Sequence, residues 1–317
     1  MKTMAPILSF FVGLAWWLLG CGSLRNEVDP SVLGADSSKL VVSGFLSPQD
    51  TILAVKLTRS RTVVGDSIGG FSSSDGPAAN AGNVVNATVT ISDGSRSVSL
   101  RYFADGQPYY SASTAFMPIV VGKTYTLTVL TAAGERATSS CMIPGPVALK
   151  RITFDSIQAG QNRRYVVRAS WQDLLGEPNY YQVLGVFRFI TDCSSCANDP
   201  GYTEREEFTY LSFDDDNRGV FSDAGIDGSE IISGRSYLNG STINQQLPFM
   251  AQYKKAFVTM NLYNVERSYY QYWSAVVRQR RVRNNPFAEP VLIPGNIQGG
   301  LGCFAGYNQS ILELKLK

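Results

Sequence analysis

The sequence predicts a mainly β protein: two antiparallel β-sandwich domains, with one amphipathic helix near the C-terminus. Three observations predict it. Apolar residues recur at every second position in a series of short segments, the period of a half-buried strand. Turn residues, chiefly Gly, Asp, Asn and Pro, separate these segments at short intervals with no helical pattern between them, the punctuation of a sandwich. A single segment, "ERSYYQYWSAVVRQRRVRNNP", carries its apolar residues at helical spacing.

In "KLVVSGFL" the alternation reads as a strand ending at Pro48, and in "TILAVKLTRS" Ile52, Ala54 and Leu57 are expected to face inward. Residues 65–83 are rich in Gly, Ser and Asp and read as a loop too long for a tight turn. "VVNATVTISDGSRSVSLRYF" is the clearest hairpin: Val85, Ala87, Val89 and Ile91 alternate, Asp93-Gly94 turns the chain, and Val98, Leu100 and Tyr102 alternate back. "GKTYTLTVLTAAGERATSSC" repeats the pattern, with Tyr125, Leu127 and Val129 inward and a turn near Gly134. Pro144 and Pro146 mark a boundary, giving an N-terminal sandwich over 39–146 and a β-rich domain over 147–317; a chain of 317 residues favours two domains over one. The second domain opens with "RRYVVRASWQD" and "NYYQVLGVFRFI", linked through Asp173, Gly176, Glu177 and Pro178. These segments resemble the early strands of a fibronectin-like (Ig-type) sandwich, with Trp171 in the core. "AFVTMNLYNV" is a later strand. Tyr269, Trp273, Val276, Val277 and Arg280 then fall on helical spacing, and Pro286 forbids continuation. One helix is therefore expected over about 266–283, its aromatic face against the second domain's sheet. Neighbours on a strand point opposite ways, so Tyr109-Tyr110 and Tyr180-Tyr181 should each put one ring in the core and one outside.

The start of the chain has another character. Lys2 precedes a run from Met4 to Gly20 that is uncharged and apolar or small apart from Ser9. About 20 apolar residues are needed to span a bilayer, and this shorter run with weak flanks reads as a secretory signal over 1–20. Its end, Leu18-Leu19-Gly20-Cys21, resembles the lipobox of bacterial lipoproteins. In that family the cysteine thiol takes a diacylglycerol, the preceding peptide bond is cut, and the new amine is acylated. Cys21 is thus the expected lipidation site, and several acyl chains anchor stably where one binds marginally. Residues 21–38 are polar and aperiodic, a tether. Ser23 stands where an Asp would retain an enteric lipoprotein in the inner membrane, which favours the outer membrane. Glu27 and Asp29 are offset by Arg25, so the surface and periplasmic faces both stay open.

Composition excludes more than it assigns. With 28 Lys+Arg against 26 Asp+Glu, the chain has no electrostatic grip on nucleic acid. The local exception is Arg278, Arg280, Arg281 and Arg283, either a solvated last helical turn that suits the helix dipole or a partner-binding face. There is no histidine. That removes the Ser-His-Asp and Cys-His constellations, the usual zinc and iron sites and the commonest general base. The chain is therefore expected not to be an enzyme and to need no cofactor, with carboxylate-pair hydrolysis and Ser-Lys chemistry as the catalytic alternatives that survive. Besides Cys21 there are four cysteines, an even number that suggests disulfides in an exported protein. Cys193 and Cys196 read as a loop staple, and Cys141 with Cys303 as a candidate second bridge. No metal site is expected; Asp214, Asp216 and Asp223 are the calcium candidates, but Arg218 and Gly225 break the EF-hand pattern. "GNIQGGLGCFAG" lacks the Lys-Ser/Thr ending of a phosphate loop, so its glycines are read as places where backbone crosses close to the core.

Three stretches carry a wider resemblance: "SKLVVSGFLS", "GVFSDAGIDGSEI" and the run from "YYQYWSAV" through "NNPFAEPVLIPGNIQGGLGCFAGYNQS". In that order the chain resembles the Bacteroidota lipoproteins of domain of unknown function 4249, over nearly its whole length beyond the signal. The resemblance implies an outer-membrane lipoprotein, mostly β, beside TonB-dependent β-barrel receptors, and brings no catalytic residues. The expected function is that of a non-enzymatic accessory or ligand-capture partner of such a receptor. A surface adhesin or glycan-binding module is the alternative, and a carboxylate-dependent hydrolase the second. Asp50-Thr51-Ile52, Asp66-Ser67-Ile68 and Asp155-Ser156-Ile157 resemble the O-glycosylation triplet of Bacteroidota, with Ser67 the candidate acceptor.

Overall fold

The structure is a computed structural model that describes residues 38–60, 82–104, 108–193, 196, 203–214, 219–244, 247–282, 289 and 291–317. The expectations for the signal, Cys21, the tether, Ser67, Asp216 and Arg283 lie outside these residues. The first half of the chain holds β1 (Leu40–Leu46), β2 (Ile52–Arg59), β3 (Ala87–Ser92), β4 (Ser97–Phe103), β5 (Tyr109–Ser113), β6 (Thr124–Thr131) and β7 (Arg136–Met142). The second half holds β8 (Leu149–Ala159), β9 (Asn162–Gln172), β10 (Tyr180–Thr191), β11 (Glu207–Tyr210), β12 (Ser212–Phe213), β13 (Val220–Ser222), β14 (Glu230–Ile232), β15 (Ser236–Tyr237), β16 (Tyr253–Val265) and β17 (Leu301–Lys315). A one-turn helix, α1 (Phe249–Gln252), precedes β16, and α2 (Arg267–Val282) follows it. The protein is mainly β, and α2 covers the segment where helical spacing is found. Among the described residues no helix is long and apolar enough to cross a membrane.

Two cores organise the strands. The first is lined by alternate residues of β1 to β7, among them Leu40, Val42, Leu53, Val55, Val89, Ile91, Tyr125, Leu127 and Val129. The Asp93-Gly94 turn forms as expected, because Asp93 Oδ1 accepts the backbone N–H groups of Ser95 and Arg96 while Gly94 takes φ 87°. The expectation for β2 needs correction. Its inward series is Leu53, Val55 and Leu57, while Ile52 is 46% exposed. Strict period 2 puts the charged Lys56 in phase with Ile52 and Ala54 and leaves Leu53, Val55 and Leu57 as the unbroken apolar series, so of the three expected residues Leu57 alone lies on the inward phase. β4 pairs through Val98–Leu100 with β3 and through Arg101–Phe103 with β5, turning a corner between two faces.

A second core lies between two sheets. Five strands, in the order β12-β15-β9-β14 with β8 beside β9, face the β10 and β16 end of a twelve-stranded sheet. Trp171, Tyr181, Phe187, Val258 and Met260 fill the space between. The longer sheet runs β11-β10-β16-β17-β1-β2-β5-β4-β3-β6-β7, with β13 beside β10. Its connecting strand is β17. Residues 301–306 pair with β1 and residues 307–315 with β16. Phe304 thereby enters the first core while Leu312 and Leu314 pack on the second. The β1–β17 pair is parallel, against the all-antiparallel expectation. β17 takes its direction from β16, and that direction happens to match β1.

The glycines around residues 295–306 permit this insertion. A Cβ on Gly302, which sits at φ 107°, would lie 2.0 Å from the Val42 carbonyl oxygen, and one on Gly306 would lie 2.3 Å from that of Met142. Backbone therefore passes against backbone, as the glycine-rich sequence suggested. β7 also returns to this segment, where Thr138 and Gln298 exchange two backbone hydrogen bonds of 3.0 and 2.8 Å.

Candidate functional site

Helix α2 lies where the two halves of the long sheet join. Its entry is set by Glu266, whose backbone carbonyl accepts from Tyr270 N–H at 3.1 Å. The Glu266 carboxylate accepts from Gly306 N–H at 3.1 Å, and its own N–H donates to the Gly306 carbonyl at 3.0 Å. Burial pushes the Glu266 carboxyl above the ordinary glutamate range, and the Gly306 and Met142 backbone N–H groups hold that rise in check. The aromatic stripe then packs on both halves rather than on the second alone. Tyr269 meets the Phe45 ring edge-on at 5.2 Å and donates to Gln182 Oε1 at 2.5 Å. Trp273 lies 6.4 Å from Phe45, and Tyr270 stacks on Tyr180 at 4.8 Å. Phe45 belongs to β1, a contact that no local pattern reveals.

The face of α2 that carries Gln271, Ser274 and Arg278 is polar, while Arg280 continues the aromatic stripe toward the helix end. Arg278 and Arg280 are exposed, and among the described residues neither pairs with a carboxylate. Arg281 follows on the same helix. The segment after the helix is held alongside by the Val291 N–H, which donates to Gln279 Oε1 at 2.8 Å. Between them lies a groove of about 480 Å³ lined by Tyr270, Gln271, Ser274, Arg278, Leu292 and Pro294. An unpaired guanidinium beside amide and hydroxyl groups can take a carboxylate from a partner, and the exposed Leu292 adds apolar area at the rim.

Of the calcium candidates, Asp214 and Asp223 do not come together. Asp214 is drawn away by Arg235 at 3.1 Å and by the Tyr237 hydroxyl at 2.5 Å. Asp223 instead joins Asp173 and Asp227, with one carboxylate oxygen of each within 4.8 Å of the others. Asp173 accepts from Tyr181 Oη at 2.6 Å and from Gly228 N–H at 2.8 Å. Asp223 accepts from Asn179 N–H at 2.8 Å, and Asp227 from Gly176 N–H at 3.0 Å. These bonds brace the 173–179 turn against the 223–229 turn. The three carboxylates are the residues that could hold a hard cation. Asp173 and Asp223 are 4% and 5% exposed, so Asp227 alone faces solvent. Asp173 escaped the sequence reading because its partners lie about fifty residues downstream, and by itself it looks like a turn residue.

The cysteines divide into two kinds. Cys193 and Cys196 form a disulfide with a Cα–Cα separation of 5.2 Å. Cys141 and Cys303 are both buried free thiols, so the second bridge is not formed in this structure. Burial, reinforced by the Glu266 carboxylate, pushes the Cys303 thiol up to about 12 and that of Cys141 in the same direction. Such thiols are unreactive packing groups. The paired tyrosines split as the strand period requires, with Tyr110 and Tyr181 buried and Tyr109 and Tyr180 partly exposed.

A family model described as Domain of unknown function (DUF4249) matches residues 25–312. A search of the curated proteins finds no match.

Proposed function

Since the chain belongs to the DUF4249 family, we propose that it is a lipid-anchored outer-membrane lipoprotein of Bacteroidota type, without catalytic activity, that serves a TonB-dependent β-barrel receptor as an accessory or ligand-capture partner. The observation that carries the proposal is the Leu18-Leu19-Gly20-Cys21 end of the apolar leader, just upstream of the family match. Acyl chains on Cys21 would hold the fold at the membrane, and a rigid face such as the α2 groove loses less entropy on docking than a tether does. Arg278 and Arg280, which pair with no carboxylate among the described residues, suit an acidic surface on the receptor. The same reading takes the two halves as immunoglobulin- or fibronectin-like sandwiches, supported by the corner in β4 and by the two sheets facing across Trp171.

The experiment is affinity purification of the tagged chain from detergent-solubilised, cross-linked outer membrane. A β-barrel receptor should co-purify in stoichiometric amount. A chain recovered from the outer membrane without any barrel partner contradicts the accessory role.

A further inference from the structure

The outer face of the long sheet, next to α2 and away from both cores, carries a second groove that the partner reading does not use. It has a volume of about 370 Å³, within the range of small-molecule sites, and its lining comes from β17, β1, β2 and β5 together with the β1–β2 turn and Pro108. Its floor is made of small residues, Ser43 and Gly44 on β1 and Ala54 on β2. Its walls are aromatic. Tyr307 and Phe45 stand on one side and Tyr109 on the other, where Phe103 lies 5.7 Å from the Tyr109 ring and is 46% exposed. The strands bearing Tyr307 and Tyr109 are three neighbours apart, roughly 14 Å at ordinary strand spacing. Two side chains supply charge. Asp50, from the β1–β2 turn, is fixed by the Tyr307 hydroxyl, which donates to its Oδ1 at 2.9 Å. Lys56 is exposed and, among the described residues, pairs with no carboxylate.

From this arrangement we infer that the groove binds a neutral carbohydrate chain, stacked on Tyr109 and Tyr307 and hydrogen-bonded by Asp50 and Lys56. A sugar ring has an apolar face that suits an aromatic ring and a rim of hydroxyls that need both an acceptor and a donor. Other ligand classes fit less well. A nucleic acid would need several cations along the groove, and Lys56 is the only one in the lining. An extended peptide is read through the free backbone of a sheet edge, whereas this groove lies on a sheet face whose backbone is already paired. The inference rests on the ligand-capture half of the proposed function for its biological setting, though not for the binding itself.

The test uses the full chain purified in detergent, in affinity electrophoresis through gels containing amylopectin, mixed-linkage β-glucan, xylan, mannan or arabinogalactan. At least one of these polysaccharides should retard the wild-type chain. Tyr109→Ala should weaken that retention by about tenfold or more, Tyr109→Phe should retain it, and Lys56→Ala should weaken it severalfold. Lys56 is exposed, so its variant reports on binding even if Tyr109→Ala folds poorly, and melting curves identify that case. Retardation by no polysaccharide, or equal retention by wild type, Lys56→Ala and a folded Tyr109→Ala, overturns the inference. Sugar binding by a chain that brings down no receptor would sustain this site while contradicting the accessory role.

Discussion

Asp173 and Glu266 each hold groups that the fold buries. The Tyr181 ring is fully buried and its hydroxyl has Asp173 as partner; burial and that carboxylate push the phenol well above its ordinary range. Asp173→Ala would strand both this hydroxyl and the Gly228 N–H. The expected cost is about 2–4 kcal/mol, read as a lower urea midpoint, while Tyr181→Phe in the Asp173→Ala background should recover part of it. An unchanged midpoint would mean that the 173–179 and 223–229 turns are not braced as described. For Glu266 the expected effect lies in pH. Its folded-state pKa is raised by burial, so the folded state holds its proton to higher pH than the unfolded chain does. The associated stability is fully present below the ordinary glutamate range and is lost as pH rises through the elevated value. Glu266→Gln should flatten the fall in melting temperature across that window, and a slope identical to wild type would contradict the burial of this group. Neither carboxylate could be singled out in the sequence. Glu266 simply precedes a helix, and its contact with Gly306 exists only once β17 is inserted.

Helix α2 was legible because its signal is local: a stripe of Tyr269, Trp273 and Val277, stopped by Pro286. The expected span of about 266–283 differs from Arg267–Val282 by one residue at each end. What it packs against was not legible, since Phe45 is more than two hundred residues away. The hairpins of β3–β4 and β6–β7 were legible for the same local reason, their turns being fixed by Asp93, Gly94 and Gly134. In β2 the expected Ile52, Ala54 and Leu57 do not share one phase, and Lys56 marks the Ile52 side as the solvent side. The exposed arginines of α2 give a prediction of their own. Arg278→Ser combined with Arg280→Ser should change stability by less than about 0.5 kcal/mol, because both residues are exposed. The same pair should weaken a receptor complex at low salt, with the difference from wild type shrinking as salt rises. Binding that is unchanged at low salt would remove the arginines from the interface.

β17 joins the two cores, so the halves should not behave as independent modules. Chemical denaturation followed by Trp fluorescence and by far-ultraviolet dichroism should give coincident single transitions. A fragment of residues 38–146 lacks the β1 neighbour and Phe304, and should give collapsed, poorly dispersed NMR spectra. Two separate transitions, or a well-dispersed fragment, would restore the picture of two autonomous domains that Pro144 and Pro146 suggested. The parallel β1–β17 pairing was illegible because it joins the two ends of the described chain, and period-2 patterns carry no information about which strand lies beside which. The glycines at 295–306 were the one hint, marking close backbone approach without naming the strand approached. The candidate site was legible only in pieces: the arginines from their clustering, Asp223 from its acidic loop, and the aromatic groove from Tyr109 alone. The proposed function places this fold at a membrane through lipid on Cys21. Its most direct test is metabolic labelling with a palmitate analogue, followed by membrane fractionation, for wild type and Cys21→Ser. The expected result is a labelled wild-type chain in the outer membrane and an unlabelled variant that is either uncleaved or released as soluble protein; equal label in the two would contradict lipid anchoring at Cys21.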